Sequence, residues 1–195
     1  MRKKCTFCLM LLILFINSAA AQETLTPEQE LGRELFHDKN LSLNRNQSCA
    51  TCHNADTNFV DPDNVTSPFF PVSRGSVAGL SGTLNAPSAA YAAFSPHFHW
   101  DSNGGLYVGG QFLNGRAPTL AEQAKAPFLN PVEMAMPDEW AVVARLRYNR
   151  YYWKAFKEIY GVAVRNIPRY DPRKKYRPRG ILEVYGYMTK AIAEF

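Results

Sequence analysis

The sequence predicts a mainly α-helical domain with long loops rich in Gly and Pro. Three observations predict this fold class. Helix start signals stand at Thr26 and Thr119, apolar residues recur every three or four positions near the C-terminus, and no alternating strand pattern of useful length is present. Between Thr57 and Pro96 the chain is rich in Gly, Pro, Ser and Asn. Loops this long in a compact domain usually serve a site.

The individual helices follow from capping signals and periodicity. Thr26 is a suitable N-cap, with Pro27 at the first helical position and Gln29 at the third, so a helix should run to about Asp38. Thr119 and Glu122 form a second capping box, and we expect Pro127 to end that helix. Further helices are expected over residues 139–148, 151–160 and 181–195.

Residues 1–21 have the features of a cleavable signal peptide. Basic residues 2–4 precede an apolar run over 9–16, and three alanines at 19–21 form a small-residue cleavage site. The apolar run is shorter than the ~20 residues that a spanning helix requires. We therefore expect export to the periplasm, no stable membrane span, and one mature domain over residues 22–195.

Removal of residues 1–21 would change both charge and cysteine content. Loss of Arg2, Lys3 and Lys4 lowers the formal net charge from +5 to +2, which gives no support to a nucleic-acid partner. Cys5 and Cys8 would also be removed. Cys49 and Cys52 then remain, both within one motif.

That motif is Cys49-Ala50-Thr51-Cys52-His53, which has the Cys-x-x-Cys-His form of a c-type haem attachment site. Each thiol can form a thioether with one vinyl group of the porphyrin, and the adjacent His53 can bind the iron. A zinc site would need two further ligands, and only His97 and His99 follow the motif. A thioredoxin-like redox pair gives no reason for His53. We therefore predict a cytochrome c-like haem domain with one covalently bound haem c.

A basic segment lies between the last two predicted helices. Residues 165–179 contain seven Lys and Arg side chains and one acid, Asp171. A solvated loop is one interpretation. The other is a docking patch for an acidic electron-transfer partner, because such charge steers encounter.

Several short runs give the chain a family resemblance. With the haem motif, their order resembles the N-terminal haem domain of the bacterial di-haem cytochrome c peroxidase and MauG family. The resemblance covers nearly the whole mature chain. The runs are residues 31–36 (LGRELF), 85–88 (NAPS), 114–117 (NGRA), 123–124 (QA) and 130–134 (NPVEM).

The resemblance implies a peroxide pocket made of Gln123, Pro127 and Glu133. These positions match the distal glutamine, proline and glutamate of the family. Glu133 would be the acid/base that moves a proton between the two peroxide oxygens, and burial beside a haem would raise its pKa. A surface location is the alternative for both Glu133 and Gln123.

The sequence also departs from the family pattern. It contains one Cys-x-x-Cys-His motif where the family has a second haem domain, and Leu113 replaces the tryptophan between the two haems. Residues 75–82 contain no histidine that could be a distal ligand, so an open iron is expected. Asn85 matches a calcium ligand of the family, but calcium is not expected without the second domain.

Other side chains could occupy the sixth iron position. His97 and His99 could bind the iron, although loop histidines are the ordinary interpretation, and Met134 and Met136 are expected to fill the core. We expect Trp100 to pack in the haem pocket or the core.

Together these features predict a haem peroxidase that reduces hydrogen peroxide or uses it in an oxidation. The resemblance implies electrons from a redox partner, which would be a small cytochrome, a cupredoxin or a separate subunit with a second haem. A mono-haem electron carrier and a truncated haem-binding product without turnover remain alternatives.

Overall fold

The first and last helices form a closely packed pair. The computed structural model describes residues 24–67 and 69–195. Helix α1 (Pro27–His37) begins with the predicted capping box between Thr26 and Gln29 and packs along the C-terminal helix α8 (Ile181–Glu194). Gly32 lies at their contact, where it lets the two backbones approach each other. Glu28 joins three elements, since it accepts hydrogen bonds from Lys190 and from Tyr160.

Helix α6 (Glu139–Leu146) lies at the centre of the core. Asp138 caps its start by accepting a hydrogen bond from the Ala141 N–H, and Trp140, Val143 and Leu146 are all buried as the sequence predicts. Helix α7 (Arg150–Tyr160) contributes the buried side chains of Tyr152 and Phe156. Six of the eight residues of α6 are buried, so this helix belongs to the interior of the domain.

The middle of the chain is formed by loops and very short elements. These are α2 (Cys49–Cys52), α3 (Pro62–Thr66), β1 (His99–Asp101), β2 (Leu106–Val108), α4 (Leu120–Gln123) and α5 (Ala126–Leu129). The prediction of long loops between Thr57 and Pro96 is confirmed, with α3 and a single turn of 3-10 helix as the only helical segments among the described residues there.

One short element of this region was not predicted from the sequence, and one sequence prediction is wrong. Strands β1 and β2 form an antiparallel hairpin, with Trp100 opposite Tyr107. Strands of three residues are too short to show alternation. Pro127 does not end a helix but lies in the first turn of α5, where its missing N–H costs no hydrogen bond.

The predicted signal peptide lies outside the described residues. Within residues 24–67 and 69–195, no helix has the length and apolarity needed to cross a membrane.

The contact between α1 and α8 gives a test of the fold. Replacing Gly32 by Ala places a Cβ atom onto the Ala191 carbonyl oxygen, so the helices must separate. We expect Gly32→Ala to lower the free energy of unfolding by roughly 1–3 kcal/mol, measured by urea denaturation.

A matched control uses the other helical glycine. Gly186 lies in α8, and the space that a Cβ atom would occupy there is open. Gly186→Ala should therefore leave the free energy of unfolding unchanged or raise it by up to about 1 kcal/mol, because alanine has the higher helix propensity. Equal effects of the two substitutions would contradict the close packing at Gly32.

Candidate haem site

The two motif cysteines lie on α2, a helix of a single turn. Ser48 precedes it, and its backbone N–H donates a hydrogen bond to the Thr51 hydroxyl at 3.0 Å. Both thiols are free, as haem attachment requires. Burial raises the pKa of Cys49 to about 12 and that of Cys52 to about 11. The thiols are therefore protonated at neutral pH.

His53 ends this turn with its imidazole held by the backbone. Its Nδ1 lies 3.1 Å from the carbonyl oxygen of Phe59. A carbonyl can only accept a hydrogen bond, so Nδ1 carries the proton and Nε2 keeps its lone pair. Burial lowers the pKa of His53, which keeps the ring neutral. His53 is thus in the state that an iron ligand needs.

The turn that presents this carbonyl has an unusual backbone. Asn58 and Phe59 both have φ values in the left-handed region, 56° and 58°. The Phe59 oxygen also accepts a hydrogen bond from the Ala89 N–H at 3.1 Å, which ties the long loop to this turn. Non-glycine residues in this conformation concentrate at functional sites.

The segment that leads into α2 is anchored by Ser76. The Ser76 hydroxyl accepts a hydrogen bond from the Asn44 N–H at 3.0 Å and donates one to Asn46 at 2.7 Å. The Ser76 carbonyl accepts from the amide groups of both asparagines. Ser76 itself is buried.

Ser76 also connects this segment to Glu133. The Ser76 N–H donates to the Glu133 carbonyl oxygen at 2.6 Å, and the Leu43 N–H donates to the Met134 carbonyl oxygen at 2.8 Å. The backbone around Glu133 is therefore fixed relative to the chain that enters the Cys49–His53 motif.

The carboxylate of Glu133 belongs to the same site as the two thiols. Its Oε1 accepts a hydrogen bond from the Asn130 amide at 2.8 Å. Burial raises the pKa of Glu133, against smaller lowering effects from Asn130 and Arg116. Glu133 also raises the pKa of both thiols, but less than burial does and less than Cys52 does at Cys49 or Asp61 does at Cys52. The Glu133 carboxylate therefore lies within electrostatic reach of both thiols.

Gln123 and Pro127 lie on the two short helices that precede this turn. The Pro127 carbonyl oxygen accepts a hydrogen bond from the Met134 N–H at 3.1 Å, which brings Pro127 beside the Glu133 turn. Gln123 is the last residue of α4 and is half-buried. Its side-chain amide forms no hydrogen bond among residues 24–67 and 69–195, so the structure leaves it available to a ligand.

The chemistry of the donor set tests whether a haem fits this site. Ser73 lies within hydrogen-bond reach of Cys52, where its hydroxyl lowers the pKa of the thiol against the larger effect of burial. The side chains that surround the motif cysteines are therefore neutral at neutral pH or able to become so. With two free thiols and a neutral imidazole, these residues fit a covalent haem.

Comparison with known proteins supports this interpretation. The family described as di-haem cytochrome c peroxidase matches residues 26–195. The methylamine utilization protein MauG of Paracoccus denitrificans is 44% identical over 165 residues, covering 83% of this chain and 42% of MauG. The cytochrome c peroxidase Ccp of Escherichia coli is 32% identical over 130 residues, covering 67% of this chain and 23% of Ccp.

This chain belongs to the di-haem cytochrome c peroxidase family. Among solved structures, the diheme peroxidase BthA of Burkholderia thailandensis matches with a TM-score of 0.70 and 27% identity, over 88% of this chain and 40% of BthA. This confirms the predicted family and fold class. The chain spans less than half the length of these relatives.

Family membership supports covalent haem c, and its attachment at Cys49, Cys52 and His53 stays a prediction. Leu113, at the position of the family's inter-haem tryptophan, is 67% exposed. Asn85 is also exposed, and the described residues contain no cluster of three His, Cys, Asp or Glu side chains suited to a metal ion. The expectation about calcium stays a prediction.

The rival iron ligands lie in different surroundings. His97 and His99 are exposed near the start of the hairpin, and the His99 Nδ1 donates to the His97 carbonyl oxygen at 2.7 Å. Met134 and Met136 are buried, as expected of core-filling side chains. Trp100 is 55% exposed and packs edge-on against Tyr107, so it does not lie in the core, and its place in the haem pocket stays a prediction.

Sequence reasoning missed two residues beside the motif. Asp61 is buried and caps α3. Its charge adds to the raised pKa of Cys52 and offsets part of the lowering of the His53 pKa by burial. The Asp-Pro pair at 61–62 is a helix-start signal that could have located it. Ser76 gave no signal, because a serine in a Gly/Ser-rich loop is ordinary in composition.

The raised pKa of Glu133 predicts a pH-dependent effect on stability. Burial in the folded state disfavours the charged carboxylate of Glu133. The free energy of unfolding therefore falls as the pH rises from the unfolded-state pKa of this group, about 4.3, through its higher folded-state pKa. We expect Glu133→Gln to have a higher Tm than the parent protein at pH 7, with the difference vanishing towards pH 4.

The control for this measurement is Glu122→Gln, since Glu122 is exposed and pairs with Lys125. The same gain in Tm at pH 7 for both variants would contradict a specific burial effect at Glu133.

Replacing His53 tests the predicted axial ligand. His53→Gly should retain covalent haem on a denaturing gel, since both thiols remain, but its absorption spectrum should change and added imidazole should restore it. His99→Gly should leave the spectrum unchanged. If the spectrum changed in His99→Gly but not in His53→Gly, the result would contradict His53 as the iron ligand and would assign that role to His99.

Proposed function

We propose that this chain is a periplasmic c-type haem protein that reduces hydrogen peroxide or uses it in an oxidation. Glu133, Gln123 and Pro127 form its peroxide pocket. The observation that carries the proposal is the placement of Glu133. This half-buried carboxyl shares a site with Cys49 and Cys52, and its pKa is raised by burial.

The haem iron, when bound, supplies the redox chemistry on peroxide. Cys49 and Cys52 would hold the group through thioethers, and His53 would bind the iron through Nε2 while the Phe59 carbonyl fixes the ring through Nδ1. One covalent haem is proposed for this chain, in keeping with its single Cys-x-x-Cys-His motif.

Glu133 moves the proton that cleavage of the peroxide bond requires. Its Oε1 is occupied by the Asn130 amide, which leaves Oε2 to take a proton from the inner peroxide oxygen and return it to the outer one. The raised pKa makes the Glu133 carboxylate a stronger base than an exposed glutamate, so it can take this proton before it returns it. Gln123, with its free amide, would orient the peroxide by a hydrogen bond.

Reduction of peroxide needs two electrons from outside this domain. We propose that they come from a redox partner protein, a small cytochrome, a cupredoxin or a separate subunit with a second haem. In the predicted docking segment, Arg177 pairs with Glu139 and Arg173 with Asp171, so part of its charge is already neutralised. Its other cations, among them Lys174, Lys175 and Arg179, are exposed or nearly so and remain the part suited to an acidic partner.

Replacing Glu133 tests the proposed mechanism directly. Glu133→Gln keeps the size and the Asn130 contact but cannot transfer the proton. We expect its second-order rate with hydrogen peroxide, measured by stopped-flow absorption on the ferric protein, to fall by about 10²-fold or more.

Glu122→Gln is the matched control and should react at the parental rate. An unchanged rate in Glu133→Gln removes Glu133 from the mechanism. A low-spin, six-coordinate ferric spectrum that peroxide does not alter would instead support a mono-haem electron carrier.

A further inference from the structure

A polar cleft of about 400 Å³ lies apart from the candidate haem site. It opens between the turn that follows α1 and the junction of α6 with α7. None of the residues proposed to hold haem or peroxide lines it. The side chains that matter for its chemistry are those of Asp38, Asn40, Arg45, Arg145, Asn149 and Arg150.

The cleft carries an excess of positive charge. Three guanidinium groups line it against one carboxylate, Asp38. Both oxygens of Asp38 are already occupied, Oδ1 by two donors of Asn40 and Oδ2 by the Tyr152 hydroxyl at 2.8 Å. Within residues 24–67 and 69–195, none of the three arginines forms an ion pair.

Arg145 is held rigidly at the wall of the cleft. Its Nη1 donates to the Asn40 carbonyl oxygen at 2.8 Å and its Nη2 to the Leu43 carbonyl oxygen at 3.3 Å. Burial lowers the pKa of Arg145, the charge of Arg45 lowers it further, and the smaller effect of Asp38 acts in the opposite direction. The two guanidinium groups are thus close enough to repel each other, and a bound anion would relieve that repulsion.

Two backbone features add to this preference for an anion. Helix α7 begins at the cleft, with Asn149 as its N-cap, so the positive end of the helix dipole faces the same region. Arg45 has a φ of 56°, a conformation that favours glycine or asparagine. The chain keeps a long cationic side chain there at a conformational cost.

We propose that this cleft binds a small organic dianion, a dicarboxylate or a phosphate ester. Planar guanidinium groups match both carboxylate and phosphate oxygens. The volume lies within the range of small-molecule pockets, and a concave site suits such a ligand better than the flat surface of a partner protein.

The site is connected to the haem motif through the chain. Arg145 binds the Leu43 carbonyl, while the neighbouring Asn44 and Asn46 bind Ser76. An anion bridging Arg45 and Arg145 would stabilise this segment. Amide hydrogen exchange over residues 43–46 should therefore slow when the site is filled.

Calorimetric titration of the purified haem-loaded protein with succinate, and separately with inorganic phosphate, tests the proposal at constant ionic strength. We expect saturable one-site binding of at least one of the two. Arg45→Gln and Arg150→Gln, both at exposed positions, should each weaken it by about tenfold or more.

Arg179→Gln is the control, because it removes the same charge from an exposed position outside the cleft. It should bind like the parent protein. Equal weakening in Arg179→Gln, or no saturable binding of either anion, would overturn the proposal. Binding of a hexaglutamate peptide but of neither small anion, lost in Arg45→Gln, would also overturn it and assign the surface to an acidic protein.

Discussion

The hydrogen bonds of Ser76 are the constraint on which the candidate site depends. Through Asn44 and Asn46 they hold the segment that enters the haem motif, and through the backbone N–H they hold the turn that carries Glu133. The attachment cysteines lie on a single helical turn and the proposed acid/base lies in a turn between helices, so their relative position depends on this buried serine together with the hydrogen bond from Leu43 to Met134. The packed helices α1, α6 and α8 provide the framework on which these loops rest.

Burial favours the neutral form of every titratable group that the site uses. It lowers the pKa of His53 and raises that of Glu133 and of both thiols, so every group favours its neutral form. A neutral imidazole can bind iron, and a carboxylate whose pKa is raised can accept a proton and return it. The chemistry proposed for this member of the di-haem cytochrome c peroxidase family therefore follows from the low polarity of its surroundings.

Local signals in the sequence were enough to predict the helices and the attachment motif. The capping box at Thr26 and the spacing within Cys49–His53 each depend on residues that are neighbours in the chain. Pro127 was misread because a proline before a helix and one after it look alike in sequence. The hairpin at His99 was too short to show a period, and Ser76 acts through contacts about 30 residues away. Long-range contacts of this kind leave no local pattern.

We propose that Glu133 would lie on the side of the haem opposite His53. A crystal structure of the ferric haem-loaded protein is the most direct test. We expect thioethers at Cys49 and Cys52, His53 Nε2 as the ligand on one face, and the Glu133 carboxyl beside the open opposite face. A histidine or methionine side chain bound to that face, with Glu133 turned to solvent, would contradict it.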